Sequence, residues 1–480
     1  SGSSRSHPGA PRVPAHSRGR AHVDARLLIP PPSARTTRVT TLALVIVLIA
    51  AVATGVTGSR LQRERDRSAA YRSEATAAEA ELDALRERLQ QGGGSVLDRI
   101  ASAVAQLRGL TFKRPISATV LTNEELRKRV VGEIESDSPR AEIEKSAKVL
   151  RALGLLSPGA DLYDVLIGVQ EEQVGGFYDT KSKKMVVGGD AKDPSPLQRT
   201  LLAHEYTHAL TDQYFNLGHL EEFSKTKKDD EAEAYLSLVE GDATLLMEQY
   251  ARDVLTRAEQ LEYVREASGI KTSKLDAAPR ALRATLLFPY IQGLAFVRAL
   301  YERGGNRAID NAYRDPPSST EQILHPEKYY GKRDDPVDVS LPDVSKSLGS
   351  SWRPVLDGGI GELDVRLILN EFLPAPDSND AAAGWDGGRY SSFESSDGVL
   401  LAALTRWDST SEAKEAEETF DRWLPRRFDR QGSEKRITGG RAWEAPGGAA
   451  EIVRNGQNLL MLVGPSLDDV ERARSAFSGF

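Results

Sequence analysis

The sequence predicts an α+β fold in two parts: a mostly helical domain carrying a small edge sheet, then a small α+β module. Three observations predict it. Residues 195 to 252 hold two long helical patterns, the first with a capping start and stop. A short hairpin pattern, Gly176 to Val187, precedes them. From Gly398 onward strand, helix, hairpin and helix patterns follow one another, after a Pro- and Ala-rich break near 374–384.

The elements follow in order. Residues 1–39 are rich in Ser, Pro and Arg, the composition of a disordered tail. Residues 1–38 carry seven arginines and one aspartate, so +6, leaving −13 on the remainder of a chain of net charge −7. Residues 40–58 form an uncharged run of nineteen residues, just long enough to span a bilayer as a transmembrane helix. The basic tail places the N-terminus in the cytoplasm and everything after the span outside the cell. Ala51-Val52-Ala53 offers a signal-peptide cleavage site instead, but the region before it is far longer than an ordinary leader, which favours an uncleaved anchor. Residues 59–95 read as a stalk helix and a Gly-rich linker. Tyr71, Ala75, Ala78, Leu82, Leu85 and Leu89 alternate spacings of four and three, either a weak dimer seam or a solvated spacer.

The main domain, 96–372, begins with a strand at Ser117–Leu121 and helices from Asn123, Arg140 and Asp161. After the hairpin, Ser195-Pro196 supplies an N-cap and a first-turn proline, and Asn216-Leu217-Gly218 a stop. A further helix runs from about Pro279 to Arg303. The module, 385–480, reads as a strand (Val399 to Trp407), a helix (Ser411 to Trp423), two strands joined at Asn455-Gly456, and a last helix from Leu467.

Inside the capped helix lies His204-Glu205-Tyr206-Thr207-His208. Positions i and i+4 share a helical face, so the two imidazoles converge on one point. Leu197, Leu201, His204 and His208 form one stripe, which turns the histidines inward. Two buried imidazoles beside a glutamate need partners, and zinc is the simplest. Zinc lowers the pKa of its water to about 7, and Glu205 is placed to take a proton from it as general base. The pattern is that of a metallohydrolase site.

A catalytic zinc needs a third protein ligand. Of seven histidines, His7, His16 and His22 fall in the tail, leaving His219 and His325. The extended pattern with glycine three and histidine six residues beyond the second histidine is absent; Thr211 and Tyr214 stand there. The better candidate is Glu240, in a helix from Asp230 to about Arg252, because a lone carboxylate among apolar residues is costly. Asp242 and Glu233 are the alternatives. Glu231 and Glu233 sit with Asp229 and Asp230 in an acidic run that reads as a solvated face. Ala232, Ala234, Gly241 and Ala243 suggest close approach to the histidine helix.

With these residues assembled, the chain resembles a glutamate zincin, more narrowly a poorly characterised group of membrane-anchored bacterial metallopeptidases. The matching stretches are Gly176-Phe177-Tyr178-Asp179, His204 to Leu210, Val239-Glu240-Gly241-Asp242-Ala243, Phe288-Pro289-Tyr290 with Gly293, and Pro317 to Tyr329. They span roughly residues 105–370. The resemblance implies peptidase activity on a peptide or protein substrate, without naming it. It also implies that the hairpin supplies an edge strand above the metal, to which an extended peptide adds as a further strand. In zincins a histidine or tyrosine often hydrogen-bonds the developing oxyanion, a catalytic role open to His325, which reads equally as a capping or core-edge histidine.

Composition sets the outer bounds. Apolar residues make up 40 %, ample for packed cores. The chain has no cysteine, which excludes disulfides, thiol nucleophiles and thiolate metal sites. No phosphate loop, Ser–His–Asp pattern or nucleic-acid motif stands out. The expected activity is therefore that of a membrane-anchored zinc peptidase. A catalytically inactive zincin-like module that binds peptides or scaffolds an envelope complex is the alternative, against which the intact Glu205 argues.

Overall fold

The computed structural model describes residues 94–480 apart from 174, 190–192, 221–222 and 224–227. The expected basic tail, membrane span and stalk lie outside the described residues. Among the described residues, one helix, Arg280–Gly304, is long and apolar enough to cross a membrane, but most of it is buried inside the protein.

The described chain is α+β. In order it forms α1 (Val96–Arg108), β1 (Ala118–Leu121), α2 (Asn123–Asp137), α3 (Arg140–Leu153), α4 (Leu162–Gln173), β2 (Gly176–Asp179), β3 (Lys184–Gly188), α5 (Pro196–Phe215), α6 (Asp229–Asp253), α7 (Arg257–Ser268), α8 (Ser273–Ala277), α9 (Arg280–Gly304) and α10 (Asn306–Arg314). Short helices α11 (Thr320–Leu324), α12 (Pro326–Tyr330) and α13 (Ser345–Leu348) lead to β4 (Arg353–Gly359), α14 (Glu362–Phe372) and α15 (Ala375–Ala382). The chain closes with β5 (Trp385–Ser395), β6 (Gly398–Trp407), α16 (Thr410–Arg427), β7 (Ser433–Ile437), β8 (Gly440–Ala445), β9 (Gly448–Asn455), β10 (Asn458–Gly464) and α17 (Leu467–Arg474).

Two sheets organise these elements. The small one has the order β1-β3-β2, with β1 parallel and β2 antiparallel to β3, so β2 is an edge strand. Leu126, Val130 and Ile134 of α2 pack beneath it against Phe177 and Val186. The large sheet runs β4-β5-β6-β10-β9-β8-β7, antiparallel throughout. Its strands alternate between two faces. Leu401, Ala403, Leu459 and Met461 face the core shared with the helical part, whereas Leu400, Ala402, Leu460 and Leu462 face α13 and α17.

The sheet begins before the compositional break near 374–384. β4 pairs with β5, and α14 and α15 follow β4 directly, so the second part takes in residues from 353. Trp423 ties α16 to α14 by donating its Nε1–H to the carbonyl of Ile368 at 3.0 Å. Burying such an indole while pairing its N–H secures both the apolar and the polar part of the ring.

The closest helix contact differs from the one expected. Gly241 of α6 meets α9, where a Cβ would stand 2.2 Å from the carbonyl oxygen of Gly293; a Cβ on Gly293 would in turn meet the Ser237 carbonyl at 2.2 Å. Reciprocal glycines thus bring the backbones of α6 and α9 together, and the partner of Gly241 is α9 rather than the histidine helix. The acidic start of α6 also departs from expectation. Glu233 is buried at 8 % exposure, and Asp230 accepts hydrogen bonds from the backbone and hydroxyl of Thr320. The C-terminal part folds over this end of the helix: the Gly359 amide donates to Asp229 at 3.2 Å, covering what reads in sequence as a solvated face.

Candidate metal centre

Helix α5 is fixed at both ends. The Ser195 side chain accepts from the Gln198 amide, and Gln198 Oε1 accepts from the Ser195 amide. Asn216 closes the helix at a φ of 54°, the left-handed region that asparagine tolerates better than most residues. Between the caps, His204, Glu205 and His208 are all buried, at 0, 6 and 5 % exposure.

From α6, Glu240 enters the same place. Its Oε2 lies 3.2 Å from His204 Nε2 and its Oε1 3.6 Å from His208 Nε2, while the two Nε2 atoms are 3.0 Å apart. These separations suit three corners of a tetrahedron whose bonds are about 2.0–2.1 Å, where edges of roughly 3.3 Å are expected. Glu240 is 1 % exposed, and its Oε1 has no hydrogen-bond donor. A sealed, unmatched carboxylate oxygen costs on the order of 1–3 kcal/mol, more when charged. Two neutral imidazole nitrogens and one carboxylate are a donor set that zinc accepts. The residues fit a zinc ion.

The electrostatics agree with the geometry. Burial drives His204 down to about 4, which keeps its ring neutral and its lone pair free. Burial also presses on His208, but Glu240 beside it prevails and holds it up at about 9. Glu240 is exposed to the same burial penalty, yet His208 and His204 hold it below the usual carboxylate value. The group as a whole favours one added positive charge. Burial raises Glu205, facing the same cleft, to about 7.

Strand β2 runs beside the group. The Tyr178 amide donates to Glu205 Oε2 at 2.9 Å, so the edge strand holds the glutamate directly. The Tyr178 hydroxyl donates to Asp212 on α5 at 2.8 Å, and Lys183 pairs with the same carboxylate at 2.6 Å. Asp212 Oδ1 accepts from the Leu217 amide at 3.0 Å, so one carboxylate fixes the hairpin and the end of the histidine helix. On the opposite side, Tyr290 of α9 stacks over His204 with ring centroids 6.4 Å apart, and its hydroxyl is set against Glu240. Tyr178, Asp212 and Tyr290 were not singled out by sequence reasoning. Tyr178 and Tyr290 stand in the stretches that carry the resemblance, and Asp212 stands four residues past His208, the spacing that puts it on the same helical face.

The other sequence candidates go elsewhere. Asp242 turns away from the histidines: it receives Arg108 Nε at 3.1 Å and the Tyr313 hydroxyl at 3.0 Å, in a network where Arg108 also pairs with Asp310 at 2.7 Å. Glu233 is not among the convergent donors. His325, expected as a candidate for the oxyanion role or as a core-edge histidine, sits among α14 side chains. Its Nε2 lies 3.1 Å from both Glu362 Oε1 and Arg366 Nη2, and it does not line the cleft beside Glu205. Its place at the junction of α11 and α12 makes it a link to α14.

A second convergence of donors exists, Glu321, Asp334 and Asp408. Lys328 Nζ sits among them, 2.5 Å from Glu321, 3.2 Å from Asp334 and 2.8 Å from Asp408.

Compared with known families, residues 355–474 match a domain of unknown function, DUF8575. That stretch coincides with the large sheet and its helices and does not reach α5 or α6. No curated protein and no solved structure matches the chain.

Proposed function

We propose that the chain is a zinc-dependent peptidase, anchored by residues 40–58 with its catalytic part outside the cell. One observation carries this reading: His204, His208 and Glu240 converge with Glu205 beside them and an edge strand alongside. The two imidazoles would hold the metal through Nε2 and Glu240 through its carboxylate. When bound, zinc supplies a Lewis acid that polarises the scissile carbonyl and acidifies water.

The chain's own residues account for the rest. Glu205 takes the proton of the attacking water and later passes it to the leaving amine. The Tyr178 amide fixes one oxygen of Glu205 and leaves the other for that proton. β2, at the edge of its sheet, offers backbone groups to an extended peptide. The glycine contact between α6 and α9 fixes Tyr290 against Glu240, orienting the third ligand.

The test is metal content and peptide turnover of the purified chain, wild type and Glu205→Gln. The expected result is about one zinc per chain in both, with hydrolysis in the wild type alone. Turnover unchanged in Glu205→Gln would overturn the assigned base.

A further inference from the structure

The first turns of α6, ahead of Glu240, meet the C-terminal part in a junction built from acids. The Gly359 amide donates to Asp229 at 3.2 Å, and Thr320 donates its amide at 3.1 Å and its hydroxyl at 2.5 Å to Asp230. The Thr320 hydroxyl oxygen accepts in turn from the Leu363 amide at 3.2 Å, which brings in α14. In the first turn of α14, Asp364 accepts from the Gly361 amide at 2.8 Å and stands within electrostatic reach of Asp229, Asp230 and Glu233. The fit is tight: a Cβ on Gly358 would stand 2.0 Å from Asp229 Oδ2, and one on Gly361 1.7 Å from Asp230 Oδ1. Glu233 is 8 % exposed, and its Oε1 has no hydrogen-bond partner. Among the described residues, no lysine or arginine pairs with Asp230, Glu233 or Asp364: Lys228 goes to Glu231, Arg366 to Glu362, Arg389 to Asp357 and Lys328 to Glu321. His325 also turns to Glu362, and Tyr390 of β5, beside Asp229 and Asp364, is kept protonated by burial.

Buried carboxylates that face one another without a cation cannot all ionise, so they keep protons instead. A metal ion is the poorer countercharge here, because their oxygens are not among the described groups that converge within 4.8 Å. Burial first, then the neighbouring carboxylates, raises Asp230 to about 7 and Glu233 to about 8, and lifts Asp364 well above the usual range. We infer that the C-terminal part grips α6 through a proton-held clasp: the acids of α6 and α14 hold protons while the junction is closed, and losing those protons opens it. The clasp acts on the helix that carries Glu240, seven residues past Glu233. It stands on the junction alone and needs neither zinc nor the peptidase reading. A carboxyl whose pKa is higher in the closed junction than in the open chain takes up a proton on closing. The contribution of these acids is therefore full below about pH 4, the ordinary carboxylate range. It is lost progressively as pH rises through about 7 and about 8.

Amide hydrogen exchange of the full chain, read at about pH 5 and about pH 8.5 and corrected for intrinsic base catalysis, tests this. Protection of the Thr320, Gly359 and Leu363 amides should fall at least about 10-fold between the two. Each proton lost changes the closed-to-open ratio by up to about tenfold per pH unit. Glu233→Gln and Asp364→Asn keep the shape but carry no charge at any pH, and should retain most of that protection at the higher pH. Glu231→Gln, which removes a carboxylate already paired with Lys228, should behave as the wild type. Equal protection at both pH values in the wild type, or a fall that both neutral variants reproduce in full, overturns the clasp. So does calcium that restores protection at the higher pH, since the acids would then be a cation site. A variant that fails to fold leaves the wild-type profile as the deciding reading.

Discussion

His204, His208 and Glu240 converge much as Glu321, Asp334 and Asp408 do, with donor atoms within 4.8 Å of one another in both groups. The resemblance stops at the countercharge. The three carboxylates enclose Lys328, so a side-chain ammonium already sits among them. Among the described residues no lysine or arginine pairs with Glu240; its ion-pair neighbours are the two imidazoles. Burial differs as well: all three members of the first group are sealed, whereas Asp408 and Asp334 of the second reach solvent. Counting acidic or imidazole groups therefore does not identify a metal site. What separates the two groups is that the second already holds a side-chain ammonium, whereas the first is sealed with no lysine or arginine paired to it among the described residues.

The contrast can be broken in several places. The largest effect is expected at Glu205→Gln, which should lower peptide turnover roughly 10²–10⁴-fold with zinc retained, since only the proton acceptor is lost. Kinetics beside metal analysis of the same preparation checks both halves.

Next come the ligands. His204→Ala, His208→Ala and Glu240→Gln should each abolish tight zinc binding. Asp242→Asn, two residues along the same helix, should keep its zinc while losing about 1–3 kcal/mol of stability, because buried Arg108 keeps Asp310 but loses the charge of Asp242. Equilibrium dialysis and denaturant melts separate the two classes; an Asp242→Asn chain that is stable but zinc-free would reassign the third ligand.

Zinc removal should matter to stability too. At a free zinc concentration 100 times its Kd, the metal adds about 2.7 kcal/mol to the folded state, so chelation should lower the melting temperature visibly. Calcium or magnesium added after chelation should not restore it, since both prefer oxygen ligands.

The smallest effect belongs to the cluster around Lys328. Lys328→Met should cost about 1–3 kcal/mol by leaving Glu321, 1 % exposed, without its donor. It should change neither zinc content nor kcat. A loss of zinc in Lys328→Met would show that the two clusters are coupled rather than independent.

How much of this was legible beforehand varies with the range of the interaction that sets each feature. Helix α5 was readable because Ser195, Pro196 and Asn216 write its ends locally, and i,i+4 spacing fixes the relation of His204 to His208. Glu240 was readable from its apolar surroundings in sequence. Which helix Gly241 would face was not, because a glycine advertises a close approach without naming the partner. The buried Glu233 was misread as solvated, since what covers that end of α6 comes from residues more than eighty positions away. His325 was ambiguous for the same reason: its partners Glu362 and Arg366 lie 37 and 41 positions on. Strand β5 was missed because Gly387 and Gly388 interrupt its pattern. A Cβ on Gly387 would strike the Val337 carbonyl at 2.2 Å, a constraint of tertiary origin.

Asp212 joins events that would otherwise be separate. Its two oxygens hold the Tyr178 hydroxyl, Lys183 and the Leu217 amide, so one side chain ties the hairpin to the end of the histidine helix. Coupled opening is the expected consequence, to be checked by hydrogen exchange: the amide hydrogens of Tyr178 and Leu217 should become accessible together, as one cooperative unit. A single carboxylate thus joins the strand that holds Glu205 to the turn that closes the helix carrying it.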